Sequence, residues 1–222
     1  MILNLPSGHT VRPGKILCIG RNYAAHLREM GDVADLPVEP VVFLKPSTAL
    51  IPSGGTVILP SQSNEVHHEL ELVVVIGEGG RHIPETEALN HVAGYALGLD
   101  VTARDLQAIS KANEGPWSIA KGFDTFAPLG PLTPASNISD PQSLTIELKV
   151  NGEVRQHGST AHMIFPVARL VSFLSSVFTL EKGDLIYTGT PEGVGPIKDG
   201  DVLEATGTGL GPLRVNVVAE SS

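Results

Sequence analysis

Polar and apolar positions alternate most regularly over residues 144–150, where Leu144, Ile146, Leu148 and Val150 interleave with Thr145, Glu147 and Lys149. A period of two predicts a strand with one buried face. Asn151-Gly152 follows at once, and both residue types tolerate the positive φ that a type I′ hairpin turn demands. Residues 41–44, 56–59, 69–76, 184–187, 201–206 and 213–218 carry further strand patterns between turn-forming residues. Three segments change to helical spacing: 22–30, stopped by Gly31; 102–112; and 165–176, with Pro166 suited to a first turn. In the last of these, Val167, Leu170, Val171, Leu174 and Val177 recur at i, i+3, i+4, i+7 and i+10. That spacing predicts one apolar stripe against the core and a purely structural role.

These elements predict an α+β fold that is predominantly β. With 222 residues the chain is long enough to bury a core as one domain. Its 24 glycines and 17 prolines are spread between apolar runs, a pattern of many turns rather than of disorder. No apolar run approaches the roughly 20 residues that cross a bilayer, and the first residues lack the basic start, apolar stretch and small-residue cleavage site of a secretion signal. A cytoplasmic location with no membrane partner is therefore expected. The formal net charge of -9 argues against nucleic acid, whose phosphates call for clustered Lys and Arg. The single cysteine, Cys18, lies in the apolar run 16–19, where a buried, inert thiol is expected.

Chemistry enters at His67-His68-Glu69-Leu70-Glu71, which opens into Leu72-Val73-Val74-Val75-Ile76. Strand alternation puts Glu69 and Glu71 on one face. Two ionised carboxylates on an inward face repel each other and lose hydration, which a cation between them relieves. Taken alone, Glu-x-Glu is common, and a solvent-facing strand with two ordinary glutamates fits it as well. Asp100 shifts the balance, because it too follows an apolar run, 95–99, and precedes a predicted helix. Three carboxylates without a thiolate favour a hard cation with oxygen ligands, Mg2+ or Mn2+, over zinc. Arg104 and Gln107, four and seven positions after Asp100, share its side at helical spacing. A surface pair of Arg104 with Asp105 or Glu114 suits that helix equally well. Lys121, after Trp117 and Ile119, reads locally as an ordinary strand-edge charge.

His67 and His68 are adjacent, so they point to opposite faces of a strand and cannot jointly bind one ion, although one of them can support a carboxylate ligand. The glycine-rich run 207–211 lies between two predicted strands and lacks both a following helix and a P-loop lysine, so a hairpin is expected there rather than a phosphate loop.

Taken in order, Gly20-Arg21-Asn22-Tyr23, Phe43-Leu44-Lys45-Pro46, His67 through Glu71, Asp100 through Gln107, Pro116-Trp117 through Lys121 and Thr188-Gly189-Thr190-Pro191 resemble the motifs of the fumarylacetoacetate hydrolase family. The resemblance covers nearly all of 15–218. It is strongest to short, single-domain members: acylpyruvases, oxaloacetate decarboxylases, and ring-fission hydrolases and isomerases of aromatic catabolism. It implies a mixed β-roll or β-sandwich with a few short helices, usually a homodimer. Residues 1–14 are expected to be an N-terminal extension and 15–222 the catalytic domain, without the separate N-terminal domain of longer members. By matched position, Glu69, Glu71 and Asp100 would bind one Mg2+ or Mn2+. Arg104, Gln107, Lys121 and Thr190 would line the substrate pocket, and His26 and Glu29 would sit on a lid helix. Arg21 and Lys45 match less sharply and suit either ligand binding or loop support.

The implied activity is a metal-dependent hydrolase that cleaves the C3–C4 bond of a 2,4-dioxo acid, such as acetyl-, maleyl- or fumarylpyruvate, and releases pyruvate. His26 and Glu29 are three apart on a predicted helix, so the carboxylate can orient an imidazole that activates water. Without the resemblance, His26 would read as a partly exposed helix histidine. The metal and Lys121 would stabilise a pyruvate enolate. An oxaloacetate decarboxylase passes through the same enolate without water, and a hydroxymuconate-type isomerase needs only enolisation and proton shuttling. Non-catalytic, metal-dependent binding of an organic acid is the reading from a different class. The group beyond C4 is expected to meet residues within 29–40 and 110–115.

Overall fold

The structure, a computed structural model, describes residues 1–29, 31 and 36–221. Its centre is the strand Leu70–Ile76, buried along its whole length. Leu72, Val74 and Ile76 enter one apolar cluster, whereas Val73 and Val75 enter another on the opposite side. Burial of both faces explains why this stretch reads as a continuous apolar run and not as an alternation. Around it lies an eight-stranded mixed sheet, in the order Val41–Lys45, Ile16–Gly20, Leu185–Tyr187, Leu70–Ile76, Val92–Leu99, Ala127–Leu129 and Leu50–Pro52, with Thr133–Pro134 also beside Val92–Leu99. Two of its pairings are parallel, Leu185–Tyr187 with Ile16–Gly20 and Ala127–Leu129 with Leu50–Pro52. Cys18 is fully buried in this sheet, and burial pushes its thiol well up, which makes it inert.

The helix Val167–Val177 covers one face of that sheet. Val167, Leu170, Val171 and Leu174 are fully buried with Leu17, Leu72 and Ile186. Val177 is 51% exposed, a correction to the predicted stripe. It is the last helical residue, and Phe178 leaves in an extended conformation, so no further turn follows to hold it against the core.

A second, five-stranded sheet runs Glu153–Ser159, Thr145–Val150, Val202–Gly207, Leu210–Ala219 and Thr56–Leu59. The predicted alternation is present, with Ile146, Leu148 and Val150 buried and Thr145 exposed. Asn151 and Gly152 take φ of 53° and 83°, the pair of positive values that a type I′ turn requires. The glycine run at 207–211 is a hairpin, since Gly207 pairs with Leu210 and Gly209 has φ 70°. The inner face of this sheet packs on Leu97 and Leu99 of the first.

Departures from the sequence pattern at the first two helices, at Glu69 and at Lys121 have a tertiary cause. The first helix spans Ala24–Glu29, with Met30 outside the described residues. Asn22 is held back because its side chain donates to Phe165 O and Thr188 O and accepts from Phe165 N. The second helix spans Arg104–Ala112, because Thr102–Ala103 pairs antiparallel with Val66–His67 instead. The strand expected over 69–76 breaks at Glu69. Val66–His68 joins a small sheet with Thr102–Ala103 and Gly195–Pro196, while Leu70–Ile76 stays in the large one. Lys121 is on no strand edge; it ends the short helix Ser118–Lys121, where its N–H closes a turn onto Trp117 O.

Leu170 is fully enclosed between helix and sheet. Leu170→Ala is expected to cost about 2–5 kcal/mol of stability, read as a lower urea midpoint with unchanged slope.

Candidate active site

Three sheet ends meet at one buried acidic cluster. Glu69 sits in the seam between two sheets, Glu71 is the second residue of Leu70–Ile76, and Asp100 follows the end of Val92–Leu99. Asp100 N–H donates to Glu69 O at 2.8 Å, tying the two strand ends together. One oxygen each from Glu69, Glu71 and Asp100 lies within 4.8 Å of the others, and all three residues are buried. The sequence placed Glu69 and Glu71 on one face of one strand; they converge although the strand is interrupted between His68 and Leu70.

Cations surround the acids. Lys121 Nζ donates to Glu69 Oε2 at 2.8 Å and to Asp100 Oδ2 at 2.7 Å, and Arg104 pairs with Glu69 Oε1. Arg104 also donates to Gln107 Oε1 at 2.7 Å, so its partners are in the site and not Asp105 or Glu114. Burial alone would push the Glu69 carboxyl up, yet the Lys121 and Arg104 charges hold it far below the carboxylate range. Burial likewise works against the Lys121 ammonium, but Asp100 and Glu69 outweigh it and raise its pKa. Glu71 has the opposite balance. Burial pushes its carboxyl well up, the Asp100 and Glu69 charges push it further, and the Gly189 N–H opposes them only in part.

Lys45, one of the less sharply matched positions, lies beneath the cluster. Its Nζ donates to Val101 O, Lys121 O and Phe126 O and stands 2.7 Å from Asp100 Oδ1. An ammonium has three hydrogens, and the carbonyls take them. Asp100 Oδ1 therefore has a neighbouring charge and no hydrogen bond. A buried acceptor in that condition, beside a carboxylate that its neighbours force upward, fits a donor set for a hard divalent cation.

Above the acids opens a cavity of about 300 Å³, lined by Arg21, His26, Gln107, Lys111 and Thr190 as well as the cluster itself. Arg21 reaches it from a backbone with φ 64°, an uncommon conformation for a residue with a Cβ. One wall is apolar: Ile19, Leu27, Phe43 and Trp117. Phe43 and Trp117 rings meet at 5.6 Å, with Lys111 over Trp117 and Lys121 over Phe43. Ile19, Leu27, Phe43 and Trp117 carry no polar signature that sequence reading could have singled out, although Phe43 and Trp117 fall inside segments that resemble the family.

His26 and Glu29 face each other across one helical turn, with Nδ1 3.3 Å from Glu29 Oε2. Glu29 also accepts from Gly193 N–H at 2.9 and 3.1 Å. The loop 189–193 thus serves three groups: Gly189 N–H donates to Glu71 at 2.8 Å, Thr190 lines the cavity, and Gly193 N–H meets Glu29. Gly189 has φ 96°, and a Cβ there would lie 2.7 Å from Asn22 Cβ, so only glycine delivers that N–H to Glu71. Of the histidine pair, His68 is buried and bonded to Gln156, whereas His67 turns the other way to Glu65.

Comparison with known proteins places this geometry. The model of the fumarylacetoacetate (FAA) hydrolase C-terminal family matches residues 15–218. The chain belongs to the fumarylacetoacetate hydrolase family. Within that family it is 46% identical to the crystal structure of fumarylpyruvate hydrolase from Pseudomonas aeruginosa in complex with Mn2+ and pyruvate, with a TM-score of 0.91 over 99% of this chain and 96% of that one. The mitochondrial oxaloacetate tautomerase FAHD1 of Homo sapiens is 49% identical over 202 residues, 91% of this chain and 90% of that protein. The structure of 5-carboxymethyl-2-hydroxymuconate delta-isomerase from Mycobacterium smegmatis is 44% identical, with a TM-score of 0.85 over 96% and 81% of the two chains.

The electrostatics give a pH dependence with a definite sign. A carboxyl pushed up, like that of Glu71, keeps its proton above the ordinary carboxylate range, and a hard cation takes only the ionised form. Binding of Mn2+ is therefore expected to release a proton, and affinity to rise with pH until Glu71 is ionised without the ion. Calorimetric titration in buffers of different ionisation enthalpy reads this directly; a binding enthalpy independent of the buffer would contradict it.

Proposed function

We propose that the protein is a divalent-metal-dependent hydrolase that cleaves the C3–C4 bond of a 2,4-dioxo acid and releases pyruvate. The observation that carries this reading is the buried convergence of Glu69, Glu71 and Asp100 beneath a cavity that also exposes His26. Likeness to a fumarylpyruvate hydrolase holding Mn2+ and pyruvate supports it. Glu69, Glu71 and Asp100 would hold one Mg2+ or Mn2+. When bound, the ion would supply a Lewis acid toward the 2-oxo acid.

The chain's own groups do the rest. Arg104, which pairs with Glu69 and donates to Gln107, positions the pyruvoyl half together with Gln107, with Arg21 and Thr190 at other walls of the same cavity. His26, oriented at Nδ1 by Glu29, accepts a proton at Nε2 from a water that attacks C4. As the C3–C4 bond breaks, its electrons move into an enolate facing Lys121, whose ammonium is kept charged by Asp100 and Glu69. The proton held by His26 is returned to C3, which completes pyruvate and frees the base, while C4 leaves as a carboxylic acid. We take residues 15–222 as the catalytic domain, acting as a cytoplasmic homodimer; the dimer rests on family likeness. No helix among the described residues is long and apolar enough to cross a membrane.

The same cavity suits oxaloacetate, and the 49% identity to an oxaloacetate tautomerase favours that acid as a second substrate. Acetylpyruvate, maleylpyruvate, fumarylpyruvate and oxaloacetate assayed together for pyruvate release, with oxaloacetate also followed for enol–keto interconversion, rank these activities. A dioxo acid is expected to be fastest, with turnover abolished by chelation and restored by Mn2+; full turnover after exhaustive chelation would end the proposal. His26→Ala is expected to lose about 10²–10⁴-fold in kcat while its Mn2+ affinity, read by titration, stays near wild type. Unchanged turnover in that variant removes the His26 and Glu29 pair from the mechanism.

A further inference from the structure

Strand Glu153–Ser159 forms one edge of the five-stranded sheet, and Gln156 is its single buried residue. The amide of Gln156 reaches across to the acidic cluster's supports. Its Oε1 accepts from Leu70 N–H at 2.9 Å and from His68 Nδ1 at 3.0 Å, the two residues on either side of Glu69. Its Nε2 donates to Thr190 Oγ1 at 2.8 Å and to Pro191 O at 3.0 Å. A backbone N–H only donates and a carbonyl only accepts, so Leu70 and Pro191 fix the amide in one orientation with all four bonding positions used.

That orientation decides what Thr190 can do. Its Oγ1 accepts from Gln156 and gives its own hydrogen to Leu70 O at 2.8 Å. A hydroxyl has one hydrogen, so any further hydrogen bond the Thr190 hydroxyl makes is one it accepts. The loop lies close against the strand that carries Gln156. A Cβ on Gly158 would lie 2.5 Å from Pro191 Cβ, and one on Gly193 would lie 2.2 Å from Arg155 O. Both contacts seat the loop on the strand that carries Gln156.

We propose that Gln156 is a positioning residue that holds the Thr190 hydroxyl as a hydrogen-bond acceptor toward the cavity. At that point the site then favours a ligand group bringing its own hydrogen, such as an enol or hydroxy group, over a bare carboxylate or carbonyl oxygen. This deepens, and rests on, the reading of the cavity as a site for small 2-oxo acids.

Two probes of similar size separate the cases: glycolate, which carries a hydroxyl hydrogen beside its carboxylate, and oxalate, which carries none. Their affinities for the Mn2+-loaded protein are measured calorimetrically in wild type, Gln156→Met, Thr190→Val and the double variant. The ratio of glycolate to oxalate affinity is expected to fall about tenfold in each single variant, the worth of one hydrogen bond. It should fall no further in the double variant, because both changes remove the same interaction. A merely structural Gln156 would weaken both probes alike and leave the ratio unmoved, and that result, or additive losses in the double variant, overturns the proposal. If Gln156→Met does not fold, Gln156→Glu keeps acceptor oxygens for Leu70 and His68, lacks the N–H for Thr190, and is held to the same criterion. Failure of wild type to bind either probe overturns the 2-oxo acid reading as well, whereas binding with an unmoved ratio overturns only the role of Gln156.

Discussion

Three carboxylates sharing one buried space are the constraint around which this molecule is built. Each would lose several kcal/mol of hydration on burial, and together they repel. The fold answers with charge and with fixed dipoles. Lys121 bridges Glu69 and Asp100, Arg104 covers the far side of Glu69, and Lys45 approaches Asp100 from below. Glu71 accepts the Gly189 N–H, which offsets only in part the burial and the Asp100 and Glu69 charges that push its carboxyl up. A divalent cation at the proposed site would remove that imbalance.

Each compensating group arrives from a different part of the chain, so the site is a product of the sheet topology. Lys45 ends an outer strand of the large sheet, Lys121 ends a single helical turn, and Arg104 opens a longer helix. These positions stay rigid because their backbones are themselves engaged. Lys45 ties the carbonyls of Val101, Lys121 and Phe126 into one knot, which joins both halves of the cluster's support. Asn22 does the same on the opposite side, stitching the start of the His26 helix to Phe165 and Thr188. In the proposed mechanism, groups held by such supports would lose little freedom on binding a ligand, which is how preorganisation lowers a barrier.

At Glu69 the chain passes from one sheet to another. An uninterrupted strand would have put Glu69 and Glu71 on one face of a single sheet. Instead, Val66–His68 pairs with Thr102–Ala103 and Leu70–Ile76 pairs with Val92–Leu99. The break brings the end of Val92–Leu99, and with it Asp100, against Glu69. Two sheets that diverge at one residue thus create a point where three acids meet without sharing a strand face.

Much of this was legible in one dimension. The period-two pattern at 144–150, the Asn-Gly turn after it, the stripe of the last helix and the buried run after Glu71 each follow from local rules: alternation, φ preference and helical spacing. The carboxylates could be named because acids entering or leaving apolar runs are costly wherever the chain folds. Other features had no local cause. Strands Ile16–Gly20 and Val92–Leu99 are buried on both faces, so they show apolarity without a period. The helix starts at Ala24 and Arg104 were set by the side chain of Asn22 and by pairing of Thr102–Ala103. Lys121 and Lys45 look like any lysine until the fold surrounds them with acids and carbonyls, and Gln156 looks like any polar strand residue until its amide meets Leu70 and Thr190. Sequence determines which residues are expensive to bury; only the tertiary structure decides which partners meet them, because those partners are brought together across more than a hundred residues of chain in the case of Glu71 and Gly189.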